Sequence, residues 1–242
     1  MSKIYDALEN RNDDTRKTDP ISYSARTLPS TGLDLMGIEA EMNALYQTIM
    51  HALPGKNHRT VLFVGSRSQE GTSTIARELA KIATSRLEKK VLLVDCEGSC
   101  DEFAYQDIDP AVRLEDVLEN KTDIEKVLCP VNASGLCILP FFIWAESPRV
   151  QMALNENGRF FWDALSLQFD LVIIDYSQEM FTSGPVLTSM VDGVVIVIEA
   201  EKTRWQVALS LKEKIINNGG NILGIVFNKR QHYIPQFIYD RL

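Results

Sequence analysis

One stretch constrains this chain more than any other: Thr60-Val-Leu-Phe-Val-Gly-Ser-Arg-Ser-Gln-Glu-Gly-Thr-Ser-Thr-Ile-Ala-Arg-Glu-Leu-Ala80. The apolar run from Val61 to Val64 reads as a buried parallel strand. A loop of small and polar residues follows, and then Ile75, Ala76, Leu79, Ile82 and Ala83 recur at helical spacing. Strand, tight loop and helix in that order turn the loop's backbone N–H groups and the helix N-terminus toward one point, an arrangement suited to phosphate. Aligned on G-x-x-x-x-G-K-[ST] with Gly71 as the second glycine, the first glycine position holds Ser66 and the lysine position holds Thr72. Ser73 stands where a magnesium-ligating hydroxyl belongs, and Thr74 follows it. The lysine of such a loop is a point charge on the β- and γ-phosphates. Arg67 is the cation within the loop that offers a substitute.

A chain of 242 residues can bury one good core, so one domain with tails is expected. Apolar residues at 45% and charged residues at 24% are those of an ordinary soluble globular protein. A net charge of −8 argues against a nucleic-acid partner and against broad attraction to anionic lipid. Cys96, Cys100, Cys129 and Cys137 lack paired metal spacing, and the three histidines are scattered. The thiols read as reduced, in a cytoplasmic setting. There is no signal-peptide pattern and no apolar run near 18 residues.

Along the chain, residues 1–34 form a polar tail in which only Ile4 and Leu8 share a face, enough for a short docking helix. From Leu35 to Leu53 a helical pattern runs through Ile38, Met42, Leu45 and Ile49, until Pro54-Gly55 breaks it. Val91 to Val94 is a second strand, ending in Asp95-Cys-Glu97. Arg113–Leu118 and Asp123–Leu128 read as short helices, Gly135–Pro140 as a third strand and Arg159–Leu167 as a helix. Asp170–Asp175 is a fourth strand that again ends in a carboxylate. Asp192–Ile198, a helix with Ala208, Leu211 and Ile215 on one face, and the strand Ile222–Phe227 complete the pattern. Such alternation predicts an α/β fold, a parallel sheet with helices on both faces, over residues 35–242.

In sheets of this kind ligands bind at the carboxyl ends of the strands. Gly71 to Thr74, Asp95, Glu97 and Asp175 all follow such ends. A hydroxyl and two carboxylates around a phosphate loop are what magnesium–triphosphate needs, so Ser73, Asp95 and Asp175 are the expected metal ligands.

Taken together, these segments resemble the deviant-P-loop ATPases (P-loop NTPases of MinD/ParA-like fold) and, among them, the cytoplasmic bacterial tyrosine kinases of capsule and exopolysaccharide synthesis. The resemblance spans most of residues 35–242. Glu70-Gly-Thr-Ser-Thr resembles the family's E-G-K-S-T, and Val91–Glu97 its second acidic motif, with Glu97 for the second Asp and no Arg. Phe169–Asp175 resembles its Walker B strand, although Tyr176-Ser-Gln178 replaces T-P-P. Leu114–Leu118, Gly135–Pro140, Ala200–Arg204 and Leu223–Asn228 resemble further segments, and the opening Met1–Leu8 resembles that of exopolysaccharide-cluster autokinases.

The resemblance implies ATP or ADP with Mg²⁺ as cofactor, held by Ser66, Arg67, Glu70, Gly71, Thr72, Ser73 and Thr74, with Asn228 on adenine. It implies Asp95 and Asp175 as catalytic residues and Tyr233 and Tyr239 as phosphate acceptors. It also implies a membrane chain-length-determinant (polysaccharide copolymerase) partner, a peripheral location at the inner face of the cell membrane, and homo-oligomers. The departures run one way. Thr72 replaces the lysine, Ala44 and Gln47 replace the arginines of the assembly motif E-x-x-R-x-x-R that begins at Glu41, and two tyrosines replace a cluster. Phosphoryl transfer depends on positioning and charge stabilisation, so a lost cation harms catalysis more than binding. The expectation is a regulatory or scaffolding subunit with impaired ATP use that docks through the apolar C-terminal stretch Tyr233–Leu242. The alternatives are a working autokinase and a related ATPase that positions cargo at the membrane.

Overall fold

A computed structural model describes residues 35–55, 57–98, 114–118, 123–131, 135–143, 147, 150, 158–159, 161–176 and 187–230. The N-terminal tail, Ser177-Gln178, and the C-terminal stretch with Tyr233 and Tyr239 lie outside the described residues.

Helix α1 (Leu35–Ala52) leads into β1 (Arg59–Gly65), and the loop after β1 opens α2 (Thr72–Ser85). There follow β2 (Val91–Asp95), the short α3 (Leu114–Leu118), β3 (Cys129–Val131), β4 (Leu136–Leu139) and β5 (Leu171–Tyr176). After α4 (Leu187–Met190) come β6 (Gly193–Glu199), α5 (Trp205–Asn217) and β7 (Ile222–Asn228). The seven strands lie in the order β3-β4-β2-β5-β1-β6-β7. All described pairings are parallel except that of β3 with β4. The sheet is therefore mainly parallel, as the alternation predicts, with one antiparallel edge strand, β3. Asp123–Leu128, predicted as a helix, is a 3₁₀ turn over Ile124–Val127 that feeds this strand.

The central strands are buried on both faces, and their alternation sends successive side chains into two separate cores. Val61, Phe63, Leu93, Ile173 and Val195 pack with Met42 and Ile49 of α1 and with Ile75, Leu79 and Ala83 of α2. Leu62, Val64, Leu92, Val94, Ile174 and Ile196 pack on the other face with Trp162, Leu165, Leu211 and Ile215. The face of α5 predicted from Leu211 and Ile215 is the one buried, and residues 161–166 are helical. Glu41, Ala44 and Gln47 stand exposed on α1. Among the described residues no helix is long and apolar enough to cross a membrane.

Because β2, β5, β1, β6 and β7 are neighbours in parallel, their carboxyl ends share one edge. The register places Asp95 beside Asp175 across β2 and β5, and Glu199 beside Asn228 across β6 and β7. The loop from β1 to α2 runs between these two pairs.

Candidate functional site

The loop from Gly65 to Gly71 is held in shape by one buried carboxylate. Glu70 is 2% exposed. Its Oε1 accepts the Ser66 hydroxyl at 2.8 Å, and its Oε2 accepts the backbone N–H of Arg67 at 2.9 Å as well as that of Ser66. The Thr203 hydroxyl and, at 3.4 Å, the Glu199 N–H come to Oε1 from the segment after β6. Ser66 and Glu70, expected on the nucleotide, spend their polar atoms on each other, on the Arg67 N–H and on the β6 end. Glu70→Gln replaces one acceptor oxygen by a donor facing donors. Buried N–H groups left unpaired should then lower stability by about 2 kcal/mol. Urea denaturation at neutral pH checks this, and a loss under about 0.5 kcal/mol would contradict it.

Gly71 caps α2 at φ 89°, ψ 20°, a left-handed conformation that glycine adopts without cost. A Cβ there would also lie 2.1 Å from Asn228 Nδ2. That amide donates to Glu70 O at 2.8 Å, and Asn228 Oδ1 accepts the Lys229 N–H at 2.9 Å. Asn228, expected on adenine, is thus tied to the loop in this structure. With Glu70 O so held, the chain enters α2 with the first-turn N–H groups of Thr72, Ser73 and Thr74 directed out of the helix end, where an anion is favoured.

Thr72 is 8% exposed and turns back against the end of β1: a Cβ on Gly65 would lie 2.7 Å from Thr72 Oγ1. No charge projects from this position. Arg67 is exposed, and among the described residues its guanidinium makes no ion pair. Ser73 reaches the acidic side of the site, donating from Oγ to Glu97 Oε2 at 3.2 Å, and its hydroxyl lies close enough to draw the Asp175 carboxyl downward.

The two strand-end carboxylates differ in environment. Asp95 Oδ1 accepts the N–H groups of Glu97 and Gly98, both at 2.9 Å, which shapes the turn after β2. Asp175 is 2% exposed, and among the described residues its Oδ1 has no hydrogen-bond partner. Burial, above all, raises its carboxyl to about 7. Glu97 and Asp95 push it in the same direction, while the Ser73 hydroxyl and Arg77 oppose them. Cys96, between the two carboxylates, has its thiol pushed well up by burial and by Asp175, Asp95 and Glu97, which disfavours the thiolate.

A buried carboxylate oxygen without a partner beside a serine hydroxyl fits a magnesium ion, with phosphate at the helix end. Among the described residues no group of three or more His, Cys, Asp and Glu side chains is disposed to hold a metal. Magnesium takes one or two protein ligands and completes its shell with phosphate oxygens and water. Sequence reasoning assigned no part in the site to Glu199, Thr203 and Lys229, which hold the loop from the ends of β6 and β7. Their signal was position, since each follows an apolar strand run.

The fold is one shared with MinD and with the bacterial tyrosine-kinase domains. MinD of Pyrococcus horikoshii, complexed with Mg-ADP, superposes with a TM-score of 0.51 at 20% identity over 75% of this chain and 76% of that one. The kinase domain of the Escherichia coli tyrosine kinase ETK superposes with a TM-score of 0.66 at 18% identity, over 94% of this chain and 89% of that one. In sequence, the tyrosine-protein kinase CpsD of Streptococcus agalactiae is 26% identical over 196 residues, 79% of this chain and 83% of the relative. No family model matches the chain. The chain is a relative of the bacterial tyrosine kinases, with their fold.

Proposed function

We propose that this protein is a kinase-like regulatory or scaffolding subunit of an exopolysaccharide synthesis and export system that binds magnesium–nucleotide weakly. One observation carries the reading: at the position of the phosphate-binding lysine, a neutral Thr72 side chain is folded back against Gly65. Around it the loop, the helix end and Asp175 are intact, so the backbone share of phosphate binding is kept while the charge share is lost. Positioning without charge neutralisation supports occupancy better than transfer, because the transferred phosphoryl group carries its charge through the transition state. Asp95 and Asp175 are the carboxylates that would hold magnesium. Tyr233 and Tyr239 are the acceptors if transfer occurs, and the membrane partner is a chain-length-determinant protein met on its cytoplasmic face. Exposed Ala44 and Gln47 on α1, in place of two cations, support a monomer or dimer rather than a closed ring.

Two measurements test the reading. Calorimetry of the full chain with magnesium–ATP should give a dissociation constant of about tens of micromolar or weaker, corresponding to less than about 7 kcal/mol. A phosphotyrosine assay with the membrane partner present should stay negative. Nanomolar binding or robust autophosphorylation would overturn the reading in favour of a working autokinase, which the intact loop and the unpartnered Asp175 oxygen otherwise favour.

A further inference from the structure

We propose that Lys229, delivered from the end of β7, is the phosphate-facing cation that the loop lacks at position 72. The ligand class is a nucleoside di- or triphosphate, and the inference rests on the nucleotide-binding part of the reading above.

The ammonium already sits on the loop: Lys229 Nζ donates to Gln69 O at 2.7 Å. It is placed there by the backbone. Lys229 has φ +55°, a left-handed conformation that a non-glycine residue rarely adopts, and its N–H is fastened to Asn228 Oδ1 at 2.9 Å. Asn228 in turn grips Glu70 O at 2.8 Å. Two consecutive residues of the β7 end thus hold two consecutive carbonyls of the loop. A strained lysine kept against a phosphate loop is the pattern expected of a side chain retained for a ligand rather than for packing.

The charge balance leaves this lysine available. An ammonium has three donors, and Gln69 O takes one. The nearest carboxylate is Glu199, whose Oε2 lies 3.7 Å away, and Glu199 is more closely paired with Lys202, at 3.1 and 3.2 Å. Moving Lys229 from Glu199 toward an incoming phosphate therefore strands no carboxylate. The Lys229 side chain is 48% exposed, so the shift needs no unpacking. The other cations nearby are placed less well. Lys202 is held by Glu199, Arg77 Nε donates to Ser73 O at 2.9 Å on the flank of α2, and Arg67 is exposed. Without a cation, phosphates entering here would face Asp95, Glu97 and Asp175 with only magnesium to neutralise them.

The test is calorimetric titration of magnesium–ADP and magnesium–ATP into the full chain, comparing the native protein with Lys229→Met, Lys229→Arg, Thr72→Lys and the Thr72→Lys, Lys229→Met pair. Lys229→Met should weaken binding about tenfold or more, while Lys229→Arg, which keeps the charge, should stay within about threefold. In the Thr72→Lys background the effect of Lys229→Met should shrink to under about threefold, because the restored lysine takes over the same charge. The melting temperature of the nucleotide-free Lys229→Met protein should match the native value, as expected for a half-exposed side chain. Native-like binding by Lys229→Met overturns the inference and leaves the weak-binding reading standing. An undiminished effect in the Thr72→Lys background also overturns it, because Lys229 would then act only by holding the loop and not on the phosphates. Absence of any binding by the native protein at millimolar nucleotide overturns the inference but not the scaffold assignment. Nanomolar native binding that Lys229→Met abolishes supports the inference and overturns the weak-binding reading.

Discussion

Thr72→Lys should tighten magnesium–ATP binding by at least about thirtyfold, because one partner of a desolvated charge pair is worth about 2–5 kcal/mol. Apart from Ser66 at the first glycine position, the other parts of the loop stand where the motif puts them. Gly71 has the left-handed conformation, Glu70 fixes the loop's first N–H groups, and Ser73 stands beside Asp175. The new side chain leaves from the first turn of α2, at the helix end where the phosphates are expected. A cation at a helix N-terminus opposes the helix dipole, so the nucleotide-free variant should lose about 0.5 kcal/mol of stability. That loss should reverse on adding magnesium–ATP, which stabilises by mass action. Calorimetry and nucleotide-dependent melting would therefore move in opposite directions for the free and bound forms. If the dissociation constant changes by less than about threefold, the neutral residue at position 72 is not what limits binding. A gain larger in the Lys229→Met background than in the native protein would show the two lysines serving one phosphate site.

The strands of the sheet centre were legible because burial on both faces makes them plain apolar runs, as in Val61–Val64, Val91–Val94 and Leu171–Ile174. The helices that cover them were legible from one-sided periodicity, as with Leu211 and Ile215. The carboxylates at strand ends were legible as positions, but only the strand order brings Asp95 and Asp175 into register as neighbours. The edge strand β3 escaped notice because Cys129-Pro-Val131 has three residues and a proline, which a ladder tolerates only at an edge. The work of Glu70 was hidden for a different reason. A carboxylate in a phosphate loop reads as a neighbour of the ligand, whereas the fold turns it inward to collect donors from Ser66, Arg67 and Thr203. Lys229 and Gln69 are 160 residues apart, a separation across which no local pattern can announce a contact.

Asp175→Asn should make the protein more stable at pH 8 by about 4 kcal/mol and at pH 5 by only about 1.5 kcal/mol. The sign follows from the direction of the shift. Burial, with Glu97 and Asp95 adding to it, raises the Asp175 carboxyl from 3.8 to about 7, so the native state holds a proton that the unfolded chain releases three units lower. A raised native value contributes stability that is fully present below about pH 4 and is lost as pH rises through about 7. Above that point the native fold carries an ionised carboxylate with one oxygen unpaired, and each pH unit between the two values costs about 1.4 kcal/mol. Asparagine keeps the shape without the charge, so the benefit should grow with pH and vanish near pH 4. This is opposite to the behaviour of a carboxylate kept for an ion pair, whose removal hurts most at high pH. Urea denaturation at the two pH values measures the difference. Millimolar magnesium with nucleotide should narrow it at pH 8 by stabilising only the carboxylate form, because the ion supplies the partner that Asp175 Oδ1 lacks. An Asp175→Asn protein less stable than the native one at pH 8 would mean that Asp175 holds the sheet edge together. The unpaired oxygen would then not be waiting for a metal.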